Sequence, residues 1–130
     1  MAGLVQATAV TAIDGGLVAK VDPAWDIWGP AGGYIAAIAL SAVRTRAQAE
    51  HRPVSMTGQF IGVARPGLLD VTVVPVKTGG TELFAVALAQ EGRRIFHAQI
   101  WTSSRREDSL SVAPTMPAVP PFNALRDWTT

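Results

Sequence analysis

Cysteine is absent from the 130-residue sequence, and histidine occurs only at His51 and His97. The first absence excludes a disulfide framework and thiolate chemistry. Two lone histidines without cysteine make no metal site, and no cofactor is expected. Charge is scarce too: 16% of residues are charged and the formal net charge is +1. Such a chain carries no electrostatic footprint for nucleic acid. Arg93-Arg94 and Arg105-Arg106 read instead as a turn and a solvated strand end. The apolar run Ala31–Val43 falls short of the roughly 20 residues that span a bilayer. The beginning lacks the basic start and apolar core of a signal peptide, so a cytoplasmic protein without membrane partners is expected. There is no phosphate-binding glycine motif and no serine in a nucleophile elbow.

What the chain does have is apolar content, 48% of its residues. Its length suits one domain with one core. With so little charge, part of that apolar surface is expected to lie against a partner chain.

Leu4 to Val21 reads as two short strands around Asp14-Gly15-Gly16, whose residues tolerate positive φ in a hairpin turn. Asp22–Gly29 is a loop with two tryptophans. A helix is predicted from Pro30 or Ala31 to about Ala49, covering most of Ala31–Gln48. Proline suits a first helical turn, and Ile35, Ile38, Ala39, Ala42 and Val43 form an apolar stripe that alanines extend nearly all round. Such a helix is wrapped by its surroundings. Four strands are predicted after it: Val54–Val63, Leu68–Thr78, Thr81–Gln90 and Arg94–Ser103, separated by turn residues. One long helix and an antiparallel sheet that must cover it imply an α+β fold with the sheet curled around the helix. From Ser104 the pattern is lost. Pro114, Pro117, Pro120 and Pro121 mark residues 104–130 as an extended tail or linker after a domain of residues 1–103.

The order of elements and the phrases "GPAGGYIAAIALSAV", "GQFIGVARPGLLDVTVVPVKTGG" and "QEGRRIFHAQIWTS" resemble the hotdog-fold acyl-CoA thioesterases, above all the first half of the double-hotdog type, the acyl-CoA thioesterase II group. "PTMPAVPPF" resembles the linker to the second hotdog of that group, and the likeness runs from Val18 to Phe122. The resemblance implies two hotdog units side by side, joined through the strand Val54–Val63, with acyl-thioester sites between them near the helix start. The sequence stops where a second hotdog would begin, so a second copy or another hotdog chain is the expected partner.

Glycine costs a helix roughly 1 kcal/mol relative to alanine, yet Gly32 and Gly33 stand where this one starts. Bare backbone N–H groups at the positive end of the helix dipole suit a thioester carbonyl as it becomes an oxyanion. The plainer reading is a close approach of helix to sheet. Hydrolysis also needs a water-activating group. Members of the family supply an acid on the helix, or an Asp, Thr or Ser, and Gln constellation. Between Gly29 and Val43 this chain has no acid; Asp26 in the preceding loop is the nearest, and the constellation has only weak echoes, Thr57 and Gln59 on the following strand and Gln99 on the last, with Gln59 the candidate to orient water. Trp28, Tyr34, Thr57 and Phe60 are the candidates to line an acyl pocket; the aromatics serve equally as core. Alternation places His97, Gln99 and Trp101 on the outer face of their strand, opposite Phe96, Ala98 and Ile100. A thioesterase-like protein, a catalytically silent hotdog subunit beside an active partner, and an enoyl-thioester hydratase are the alternatives. The last needs an Asp and a His near the helix start, and no histidine is there.

Overall fold

A single buried helix organises the chain. The computed structural model describes residues 3–104 and 110–126. In it a four-residue helix α1 (Leu4–Ala7) is followed by β1 (Val10–Ile13), β2 (Gly16–Val21), the long helix α2 (Gly32–Arg44), β3 (Arg52–Phe60), β4 (Gly67–Lys77), β5 (Thr81–Gln90) and β6 (Arg93–Ser103). All six strands form one antiparallel sheet in the order β1-β2-β4-β5-β6-β3. The sheet does not close: β1 and β3 are its edges.

The predicted stripe of α2 is its buried side. Ile38, Ala39, Ala42 and Val43 are wholly inaccessible, and Ile35 nearly so. They meet the alternate residues of the sheet: Leu69 and Val71 on β4, Phe84, Val86 and Leu88 on β5, Phe96, Ala98 and Ile100 on β6. Burying each large aliphatic side chain contributes about 1.5–3 kcal/mol, which is why helix and sheet form together. The β5–β6 hairpin turns on Glu91 and Gly92, both at positive φ (51° and 75°), the two-residue turn whose twist matches the strands.

The structure corrects the predicted boundaries at three places. β3 runs Arg52–Phe60 instead of Val54–Val63, because the N–H groups of Ile61 and Gly62 both converge on the Ile95 carbonyl and the ladder ends there. Leu4–Ala7 is helical, not strand: Gln6 and Ala7 donate to the Gly3 carbonyl and the Thr8 hydroxyl donates back to Leu4. The long helix stops at Arg44, five residues before Ala49, because Thr45 donates its hydroxyl to Ala42 and the chain then turns to carry Gln48 towards β5. There Gln48 donates its backbone N–H and its side-chain amide to Glu82, at 3.1 and 3.2 Å.

Glu82 lies on the inner face of β5 with its side chain almost fully buried, 3.1 Å from Nδ1 of His51 and accepting the Thr102 hydroxyl at 3.3 Å. At the other end of the same face, buried Gln90 accepts from Arg65 N–H and donates to the carbonyls of Arg65 and Leu68, holding the loop after β3. Residues 110–126 add no strand and are exposed, with one 3₁₀ turn at Phe122–Ala124. Arg105-Arg106 and the remainder of the tail lie outside the described residues. Among the described residues, no helix is long and apolar enough to cross a membrane.

Burial pushes the Glu82 carboxyl up, but the Gln48 amides, His51 and the Thr102 hydroxyl together hold it below the usual carboxylate value of 4.5. A group held below its unfolded value stabilises the fold above that value and loses the contribution as pH falls through the folded one. Thermal unfolding below pH 4.5 will therefore show a loss of stability that Glu82→Gln reduces. At neutral pH Glu82→Ala will cost about 3 kcal/mol in a urea titration, because it strands His51, Gln48 and Thr102.

Candidate active site at the start of the helix

α2 begins without a cap. Its N-cap residue, Ala31, has no side chain to accept a hydrogen bond, and the first turn holds no acid. Tyr34 and Ile35 N–H donate to the Ala31 carbonyl at 3.0 and 3.2 Å, so Tyr34 N–H is already engaged. Gly32 and Gly33 N–H have no acceptor among the described residues. The positive end of the helix dipole is left uncovered there.

The two glycines differ in what surrounds them. A Cβ at Gly32 would stand 3.1 Å from Cζ of Phe60, so the close-approach reading applies to it. A Cβ at Gly33 would meet nothing within 4 Å. Packing gives no reason for a glycine at 33.

Around this start lies an apolar rim. Trp28 is 99% exposed and Ile27, Phe60 and Val63 are also largely exposed. The Asp26–Gly29 turn rests against β3's exit, where a Cβ on Gly29 would be 3.2 Å from Cγ1 of Val63. Asp26 holds that turn: its Oδ1 accepts Gly29 N–H at 2.6 Å. The Phe60 ring packs tilted against Phe96, centroids 4.9 Å apart, and Phe96 fills the space left by Gly58.

Tyr34 is not on the rim. Its ring is 2% exposed and stacks on Trp25 at 5.4 Å. Its hydroxyl accepts Asp22 N–H at 3.0 Å and shares its proton between the carbonyls of Ala7, at 2.9 Å, and Lys20, at 3.0 Å. It joins α1, β2 and the following loop to the first turn of α2. Beside it, Trp25 Nε1 is buried with no hydrogen-bond partner among the described residues, and nothing in the sequence marked it.

Gln59 and Thr57 stand on the other face of the sheet. β3 pairs with β6 so that Gln59 lies opposite His97 and Thr57 opposite Gln99, whereas Phe60 and Gly58 lie opposite buried Phe96 and Ala98. Within one chain, Gln59 and Thr57 thus point away from α2 and from the Gly32–Gly33 amides. Gly32, Gly33, Phe60, Trp28 and Asp26 come together at one end; Tyr34 lies beneath them. All nine residues of β3 are exposed, leaving the strand's outer edge unpaired.

Gly33→Ala will raise stability by up to about 1 kcal/mol in denaturant unfolding, since the methyl meets open space and helix propensity gains. Gly32→Ala will not give that gain, because Phe60 must move. Tyr34→Phe will cost about 1–3 kcal/mol by leaving Asp22 N–H and two carbonyls short of a partner.

Comparison with known proteins places the chain in a family. The family model for the acyl-CoA thioesterase N-terminal domain matches residues 21–103. A solved structure from Alicyclobacillus acidocaldarius, described as a conserved protein of unknown function with hot dog fold, is 28% identical, with a TM-score of 0.78 over 92% of this chain and 46% of its own. The acyl-CoA thioesterase II TesB2 of Mycobacterium marinum is 22% identical, with a TM-score of 0.75 over 95% of this chain and 47% of its own. The tesB protein of Mycobacterium avium subs paratuberculosis is 20% identical, with a TM-score of 0.74 over 93% and 48%. The chain spans about half the length of these structures. A search of curated proteins found no match. With one long helix on an open six-stranded antiparallel sheet and a family model matched from residue 21 to residue 103, the chain has the hotdog fold and belongs to the acyl-CoA thioesterase N-terminal domain family.

Proposed function

We propose that this chain is an acyl-CoA thioesterase-like hotdog unit whose acyl-thioester site lies at the start of α2 and is completed by a second hotdog unit paired along β3. The observation that carries the reading is Gly33: a helix-weakening residue with open space at its α-carbon, beside two N–H groups without acceptors. In this reading Gly32 and Gly33 N–H hold the thioester carbonyl, and their contribution grows as the oxygen becomes an oxyanion. Phe60 and Trp28 offer apolar surface to the acyl chain.

The water-activating group is the part this chain supplies least well. Asp26 is the nearest acid in sequence, and one of its oxygens already accepts a backbone N–H. Gln59 faces the other side of its own sheet and, as an amide, orients water without taking its proton. A carboxylate from the second unit fits better. The same observation favours, as a second reading, a subunit that binds acyl groups beside an active partner. β3 supports the pairing in either case, since an unpaired strand bearing exposed Val54, Met56 and Phe60 invites association.

The isolated chain will hydrolyse acyl-CoA slowly or not at all, and activity will rise when a partner hotdog is supplied. Gly33→Val will abolish the activity while the fold persists by circular dichroism. Full turnover by that variant removes Gly33 from the carbonyl-binding role. Light scattering at micromolar concentration will give a mass above 13.7 kDa; a stable monomer removes the pairing.

A further inference from the structure

Along α2 from Ala37 to Arg44, between α1 and the start of β3, lies a cavity of about 310 Å³. Leu4 and Val5 of α1 and Leu40 of α2 form its apolar wall. His51, Arg52 and Arg44 supply its polar side. No residue named in the helix-start site lines it.

The His51 side chain is 3% exposed, and its Nδ1 is turned towards Glu82 and Thr102, at 3.1 and 3.0 Å. A carboxylate there fixes Nδ1 as the protonated nitrogen. Nε2 has no protein partner among the described residues, and the ring borders the cavity. Glu82 itself does not line it, and its oxygens are satisfied by Gln48, His51 and Thr102. Arg52 Nη1 is pinned by the carbonyls of Ala49 and His51, at 3.0 and 2.9 Å, which leaves its other N–H groups to spare. Arg44 is exposed, and its side chain makes no hydrogen bond or ion pair with another described residue.

We infer that this cavity is a binding site for a small amphipathic monocarboxylate, its apolar tail against Leu4, Val5 and Leu40 and its head between His51 Nε2, Arg44 and Arg52. A phosphate without an apolar body leaves the α1 wall unused, and an uncharged alcohol leaves two guanidinium groups unused. With Nδ1 protonated, neutral Nε2 accepts, so a carboxylate binds there with uptake of one proton from solvent, shared between its oxygen and Nε2. The volume sits at the small end of ligand cavities and suits a short chain. The inference does not rest on the Gly32–Gly33 amides, but Arg52 and Pro53 begin β3, the strand along which the second unit is proposed to pair.

The test is calorimetric titration of the full chain with octanoate, alongside ring-proton NMR of its two histidines. Octanoate binds one per chain, shifts the His51 signals and not those of His97, and loses at least tenfold in affinity with Arg44→Gln. 1-Octanol binds at least tenfold more weakly. His51→Gln also weakens binding, and Arg44→Gln, a surface change, decides the matter should that variant unfold. Absence of saturable binding, equal binding by Arg44→Gln, or equal binding of 1-octanol overturns the inference.

Discussion

The helix start depends on one phenolic oxygen. α2 has no side-chain cap, so local chemistry does little to fix where its first turn begins. Tyr34 does this from beneath, bringing Asp22 N–H and the carbonyls of Ala7 and Lys20 to a single point. Three stretches of chain that share no strand pairing with α2 are thereby held against its first turn. An acid or serine at residue 31 would have fixed the start more simply, at the cost of occupying the amides. Anchoring from the core keeps them free.

The inner face of β5 shows the same economy. It reads Glu82, Phe84, Val86, Leu88, Gln90, all buried, with polar residues only at the ends. Buried polar groups are costly unless bonded. Glu82 binds the segment that follows α2, and Gln90 binds the loop that follows β3. The apolar centre supplies the driving force, and the two ends decide which loops it pulls into place.

Much of the fold was legible because it rests on local patterns. The stripe in Ala31–Val43 and the strand alternation after Pro53 survive any register, and the Glu91-Gly92 turn leaves little choice. The early end of α2 was not legible, because Ala47 and Gln48 have adequate helix propensity and lose the contest to Glu82, thirty-four residues away. The site divides in the same way. The alternation that set His97 and Gln99 on the outer face of β6 applies to β3 as well, but which of its faces Gln59 shares is decided by pairing with β6. The sequence leaves Tyr34 open between pocket lining and core because its partners are backbone groups, which leave no mark in a sequence. Glu82 and Gln90 did leave one: in "TELFAVALAQ" they share the parity of Phe84 and Val86.

Gly58 has a consequence for how this chain can drift over evolutionary time. A Cβ there would fall 2.4 Å from Cζ of Phe96, the Phe96 ring leans on Phe60, and Phe60 stands over Gly32. Four positions from three distant parts of the chain therefore share one volume. A larger residue at 58 is admissible only where 96 has become smaller, and a change at 96 alone releases Phe60 over the helix start. Substitutions in this row must arrive as compensated pairs, so descendants of this sequence should exchange these residues in concert or keep them all.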